Sequence, residues 1–131
     1  MKRILIDTNA YAAFKRNDPL AIEVIRSSEH IGINVVVLGE LYSGFKGGNK
    51  EISNRRELGQ FLDSPRVEAI LIDEETAEFY AKVFWDLKKK GKPIPGNDIW
   101  VAASAMRHGL ALFTYDDHFK SVDGLLLRTG S

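Results

Sequence analysis

Four carboxylates in this sequence, Asp7, Glu40, Asp98 and Asp116, stand where an acid needs compensation. Asp7 closes the apolar run Ile4-Leu5-Ile6, and Asp116 follows the run Leu110 to Phe113 by way of Thr114-Tyr115. Glu40 sits at helical spacing among Val36, Val37, Leu41 and Gly44, so it shares or borders an apolar face. Asp98 opens a helix whose inner face is Val101, Ala102, Ala105 and Met106. A buried carboxylate must find a basic partner, a shared proton or a cation. Two carboxylates about 4 Å apart repel by roughly 4 kcal/mol at an effective dielectric of 20, so several gathered together require either protonation or a bound cation. With oxygen donors the fitting ions are magnesium or manganese.

Each acid also has a plainer reading when taken singly. Asp7 suits a strand end that caps the next helix, and Asp116 suits a turn. Asp98 suits a helix N-terminus, held by free N–H groups and the dipole. Glu40 could extend from the edge of its stripe into solvent. The joint reading rests on all four pointing toward one end of one sheet.

That sheet is legible in the alternation of short apolar runs with helical patterns. Arg3 to Ile6 reads as a strand leading into a helix start at Thr8-Asn9, and Asp18-Pro19 begins a helix through about Ser28. His30 to Val35 reads as a strand, with helical pattern from Val36 toward Gly44 and again from near Ser53 to Leu62. Val67 to Ile72 predicts a third strand. From Asp73 a long amphipathic helix follows, on the stripe Ala77, Tyr80, Ala81, Phe84 and Leu87, until Gly91. Lys92-Pro93-Ile94-Pro95-Gly96 is a connecting loop. Asn97-Asp98 then begins a helix, Ile99 to His108, closed by Gly109. Leu110 to Phe113 is a fourth strand, and Leu125 to Leu127 a fifth at the sheet edge. The fold class expected is α/β: one domain over residues 1–131, three-layered α/β/α, with a mostly parallel central sheet of four or five strands. In such sheets ligands bind beyond the carboxyl ends of the strands.

Composition narrows the chemistry. The 131 residues include no cysteine, which excludes thiolate metal sites and cysteine nucleophiles. No apolar stretch approaches the ~20 residues that span a bilayer, and a cytoplasmic protein is expected. Eighteen basic residues balance eighteen acidic ones, so any attraction to nucleic acid must be local. Local basic groups are Lys46, Lys50, Arg55 and Arg56, and the cluster Lys82, Lys88, Lys89, Lys90 and Lys92. Each also suits a solvated helix face. A Gly-x-x-x-x-Gly-Lys-Ser/Thr loop is absent, and an Asp-x-Asp phosphatase would want a second acid where this chain has Asn9.

Along essentially its whole length the chain resembles a PIN domain, and in particular the VapC toxins of bacterial and archaeal toxin–antitoxin pairs. The segments that carry the resemblance are Ile4-Leu5-Ile6-Asp7-Thr8-Asn9, Val35 to Phe45 around Gly39-Glu40-Leu41, Asn97-Asp98-Ile99-Trp100-Val101-Ala102-Ala103, and Thr114-Tyr115-Asp116-Asp117-His118-Phe119. The resemblance implies that Asp7, Glu40, Asp98 and Asp116 are the family's acidic quartet, with Thr114 supporting it and Asn9 and Asn97 as possible assistants. Asp117 adjoins the fourth acid, but the pattern Thr-x-Asp-x-x-Phe assigns that place to Asp116. The function implied is a magnesium- or manganese-dependent endoribonuclease that leaves 5′-phosphate and 3′-hydroxyl ends. The partners implied are RNA, a second copy of the chain, and an antitoxin lying across the active-site groove. Phe45, Tyr80, Phe84 and Trp85 are aromatics available for such contacts, or else part of the core.

Two rival readings remain. A metal-free histidine ribonuclease would leave a cyclic phosphate, but His30, His108 and His118 fall outside the acidic cluster as placed here and read as structural. A catalytically inert PIN-fold binding module would use the same fold as an interaction surface.

Overall fold

The structure is a computed structural model and describes residues 2–130. Chain order is β1 (Arg3–Ile6), α1 (Thr8–Lys15), α2 (Pro19–Ser27), β2 (His30–Asn34), α3 (Val35–Gly47), α4 (Glu51–Leu62), β3 (Val67–Ile70), α5 (Glu74–Lys90), α6 (Gly96–His108), β4 (Ala111–Thr114), a short 3-10 helix (Asp117–Ser121) and β5 (Leu127–Thr129). The strands form one sheet in the order β3-β2-β1-β4-β5, every pairing parallel. Helices flank it in the three-layer α/β/α arrangement. None of the described helices is long and apolar enough to cross a membrane.

β1 lies at the centre, and Ile4, Leu5 and Ile6 are fully buried, as are Leu112 and Phe113 on β4. Burying such a side chain stabilises the fold by roughly 1.5–3 kcal/mol. Strand order reverses between β1 and β4, because the chain runs outward through β2 and β3 and then returns to the other side of β1. Such a reversal opens a crevice at the carboxyl ends of the two strands.

The helix boundaries follow local chemistry. Asp18 accepts a hydrogen bond from Ala21 N at 3.1 Å and Pro19 takes the first turn of α2. Gly91 and Gly109 close α5 and α6 with φ of 69° and 64°, a backbone region costly for residues that carry a Cβ. Several expected boundaries shift. α3 runs on to Gly47, α4 starts at Glu51 rather than near Ser53, and β3 stops at Ile70. The edge strand is Leu127–Thr129 rather than Leu125 to Leu127, since its register is set by pairing with Leu112, Phe113 and Thr114. α6 begins at Gly96, with Pro95 as its cap residue, because the Pro95 carbonyl accepts from Asp98 N and Ile99 N.

The expected inner stripe of α5 is corrected. Its buried residues are Thr76, Val83 and Leu87, while Ala77, Ala81 and Phe84 are exposed. Apolar residues occupy two overlapping stripes of this helix, and packing on α6 selects the one that carries Thr76, Val83 and Leu87. α5 is left with an outward apolar face on which Phe84 is 37% and Trp85 53% exposed.

Candidate metal centre

Asp7 is the last residue before α1 and is only 6% exposed. Both its oxygens are engaged: Oδ1 accepts from Ala10 N at 2.8 Å, and Oδ2 accepts from the buried Thr114 hydroxyl. It therefore caps a helix and reaches across the crevice at the same time, since the end of β1 adjoins the end of β4. The Thr114 hydroxyl also accepts from Asp116 N at 3.0 Å, which aims the peptide after β4 back toward Asp7.

Asp116 caps the 3-10 helix through Oδ1, which accepts from His118 N at 3.1 Å. That turn returns the His118 ring to the carboxylate two residues before it, with Nδ1 at 3.0 Å from Asp116 Oδ1. His118 Nε2 lies 2.8 Å from Asp98 Oδ2. The atom is buried yet makes no hydrogen bond of acceptable geometry among the described residues, because the ring N–H does not aim at that oxygen. Asp98 itself lies in the first turn of α6, close enough to Glu40 and Asp116 to feel their charges. One ligand atom each from Asp98, Asp116 and His118 fall within 4.8 Å of one another.

Glu40 is half-buried on α3 between the buried Val37 and Leu41, and its Oε1 accepts from the Thr8 hydroxyl at 2.6 Å. Thr8 directly follows Asp7, so this bond brings α3 to the same corner. Asn34 holds the other end of α3. Its side-chain oxygen accepts from Val36 N while its amide donates to the Ser104 hydroxyl on α6, both fully buried.

The electrostatics report the same convergence. Burial pushes the Asp7 carboxyl above its ordinary range; the bonds from Thr114 and Ala10 oppose this, and the charges of Asp98 and Asp116 add to it. Asp98 is also pushed up, first by burial and then by Glu40 and Asp116, with the His118 imidazole working the other way. The charge of Asp116 thus reaches both Asp7 and Asp98, that of Glu40 reaches Asp98, and among the described residues the His118 imidazole is the basic group in contact with Asp98 and Asp116.

A family model described as PIN domain matches residues 4–125. This chain belongs to the PIN-domain family. Among relatives, Ribonuclease VapC4 of Mycobacterium tuberculosis is 30% identical over 124 residues, 93% of this chain and 92% of that protein. Ribonuclease VapC2 of Rickettsia felis is 30% identical over 128 residues, 94% of each. Among solved structures, VapBC2 of Rickettsia felis bound to a promoter DNA fragment is similar with a TM-score of 0.84 at 26% identity, over 96% of this chain and 97% of that one.

Within this PIN domain the corner gathers Asp7, Glu40, Asp98, Asp116 and Thr114. Asn9 and Asn97 are exposed, and no hydrogen bond among the described residues joins their side chains to it. Asp117 turns outward, 71% exposed at its side chain, and pairs with Lys120 at 3.1 Å. The placement of all three histidines outside the acidic cluster is corrected for His118, whose ring lies between two of the acids. The signal was the Asp-x-His spacing in Asp116-Asp117-His118, a turn in which the acid accepts from the N–H two residues on. His30 lies beside Glu68 at 3.4 Å on the neighbouring strand, and His108 is at the far end of α6, about 15 Å along the helix from Asp98.

Proposed function

We propose that this PIN domain is a divalent-metal-dependent endoribonuclease and the toxin of a toxin–antitoxin pair, working in the cytoplasm. The observation that carries the reading is the meeting of Asp7, Asp98 and Asp116 at the β1/β4 crevice, where burial pushes the Asp7 carboxyl up and the charges of Asp98 and Asp116 add to it. Similarity to proteins named as VapC ribonucleases, over more than nine-tenths of each chain, supports the reaction class.

The donor set fits a hard cation. Asp7, Glu40, Asp98 and Asp116 would hold Mg2+ or Mn2+, because among the described residues only the His118 imidazole pairs with these acids. When bound, such an ion supplies Lewis acidity to a scissile phosphodiester and to an attacking water. The remaining work belongs to the side chains. Thr114 and Ala10 N fix the two oxygens of Asp7, Thr8 orients Glu40, and Asp116 is set by the Thr114 hydroxyl and its own turn. Because these carboxylates are ordered before substrate arrives, little reorganisation is left for the reaction itself. Water attacks phosphorus as the P–O3′ bond breaks, giving a 5′-phosphate and a 3′-hydroxyl.

RNA approach relies on local cations. Several expected ones are already paired: Lys46 and Arg55 with Glu51, Lys82 with Asp86, and Lys90 with Asp123. Lys50, Arg56, Lys89 and Lys92 are in none of the ion pairs among the described residues and serve best for phosphate contacts. The outward face of α5, with Phe84 and Trp85, suits the second copy of a homodimer, and a cognate antitoxin covers the active-site groove.

The deciding experiment incubates total cellular RNA with wild type and with Asp98→Asn, with and without EDTA, and sequences the new ends. Discrete cleavage with 5′-phosphate ends, lost with EDTA and in Asp98→Asn, is expected. Cyclic-phosphate ends formed in EDTA, or no cleavage by wild type, would overturn the reading, the latter in favour of an inert binding module.

A further inference from the structure

We propose that His118 is a ligand of the metal centre, giving the site a mixed oxygen and nitrogen donor set that favours Mn2+ over Mg2+. The inference rests on the metal-site reading above and adds a residue to it.

His118 Nε2 is within 2.8 Å of Asp98 Oδ2, buried, and without a hydrogen bond of acceptable geometry among the described residues. Its neighbour is the Asp98 carboxylate, and a cation taking the place of the ring proton would satisfy both groups. His118 also belongs, with Asp98 and Asp116, to the one group among the described residues whose ligand atoms, one from each, lie within 4.8 Å of one another. The ring is held in place from three directions. Its other nitrogen is 3.0 Å from Asp116 Oδ1, its backbone N–H donates to that same oxygen at 3.1 Å, and the ring lies tilted against Phe119 with centroids 4.9 Å apart. Phe119 is 1% exposed, so the ring is backed by core rather than by a mobile surface. An imidazole whose second nitrogen faces a carboxylate is the usual arrangement for a metal-bound histidine, because the carboxylate fixes ring orientation and tautomer.

The chemical consequence is selectivity. Mg2+ prefers oxygen and dehydrates reluctantly, whereas Mn2+ lies further along the affinity order for sites that include imidazole. His118 therefore raises affinity for Mn2+ while leaving Mg2+ to the carboxylates.

The test uses the full chain loaded with Mn2+. Pulsed EPR reads nitrogen coupling to the bound ion, and calorimetry reads affinity for Mn2+ and Mg2+ in wild type, His118→Ala, His118→Gln and Asp98→Asn. The expected result is nitrogen coupling in wild type that is absent in both His118 variants. Mn2+ affinity then falls about tenfold in those variants, while Mg2+ affinity changes little. Mn2+ that is weakened by Asp98→Asn yet shows no nitrogen coupling in wild type overturns the inference alone, making His118 a counter-ion that the metal displaces. Because that readout uses wild type, it does not depend on a variant folding. Binding that is absent, or indifferent to Asp98→Asn, removes the metal centre itself and the inference with it.

Discussion

The Thr114 hydroxyl donates to Asp7 Oδ2 across the point where the sheet reverses direction, tying together two strand ends that are 107 residues apart in sequence. Thr114 Oγ1 in turn accepts from Asp116 N, so one small side chain orders two of the four acids. Tyr115, between them, donates its hydroxyl to Asp18 at the cap of α2, which fixes this segment from its other side. Burial and that contact push the Tyr115 phenol up to about 12, so the bond persists at all ordinary pH values.

Thr114→Val keeps the shape and removes the hydroxyl, leaving a buried carboxylate oxygen and the Asp116 N–H without their partner. Stability is expected to fall by about 2 kcal/mol, and cleavage by at least about tenfold. Thr114→Ser should retain most of both. Urea unfolding and single-turnover cleavage check it, and a Val variant as active as wild type removes the positioning role.

Asp7→Asn is expected to abolish cleavage while making the metal-free protein more stable at neutral pH. Because the folded Asp7 carboxyl is raised above its ordinary value, the folded state binds more protons than the unfolded state in that window. The group's ionisation therefore costs stability as pH rises through the carboxylate range, and the cost is greatest above the folded value. The advantage of Asn over Asp should accordingly shrink as pH is lowered, and reverse when saturating Mn2+ is added. Thermal melts in EDTA across pH, then with metal, measure this.

Asn34→Ala and Ser104→Ala should each destabilise by about 1–3 kcal/mol, since both side chains are fully buried and each leaves the other, or the α3 cap, unsatisfied. The double variant should cost less than the sum of the two by about 1 kcal/mol. Additive losses in urea unfolding would mean that the bond between α3 and α6 contributes nothing of its own.

Asp73 caps α5, accepting from Thr76 N at 2.8 Å and Thr76 Oγ1 at 2.7 Å, with Arg107 at 3.2 Å. The Thr76 bonds, then Arg107, hold its carboxyl well below the usual range. A depressed folded value contributes stability above the ordinary carboxylate pKa that is lost as pH falls through and below it. Asp73→Ala should lower Tm at neutral pH by a few degrees, with the gap closing in acid. An equal gap at pH values on both sides of the carboxylate range would contradict the assignment.

What the linear order of residues determined is the set of elements and most of the acids' surroundings. Apolar runs of strand length, a Pro after Asp18, Gly91 and Gly109 after helical patterns, and an acid at the end of β1 are local properties, written within a few residues of where they act. Proximity across the molecule is not local. Which of two apolar stripes on α5 turns inward depends on α6, and where β5 starts depends on its register with β4. His118 shows the limit most sharply. Its turn beside Asp116 is readable from spacing, but its contact with Asp98 exists only because α6 and the segment after β4 end at the same corner. A side chain's charge state and partners are set by what lies within a few ångströms, and for this ring that neighbour is twenty residues away in the chain.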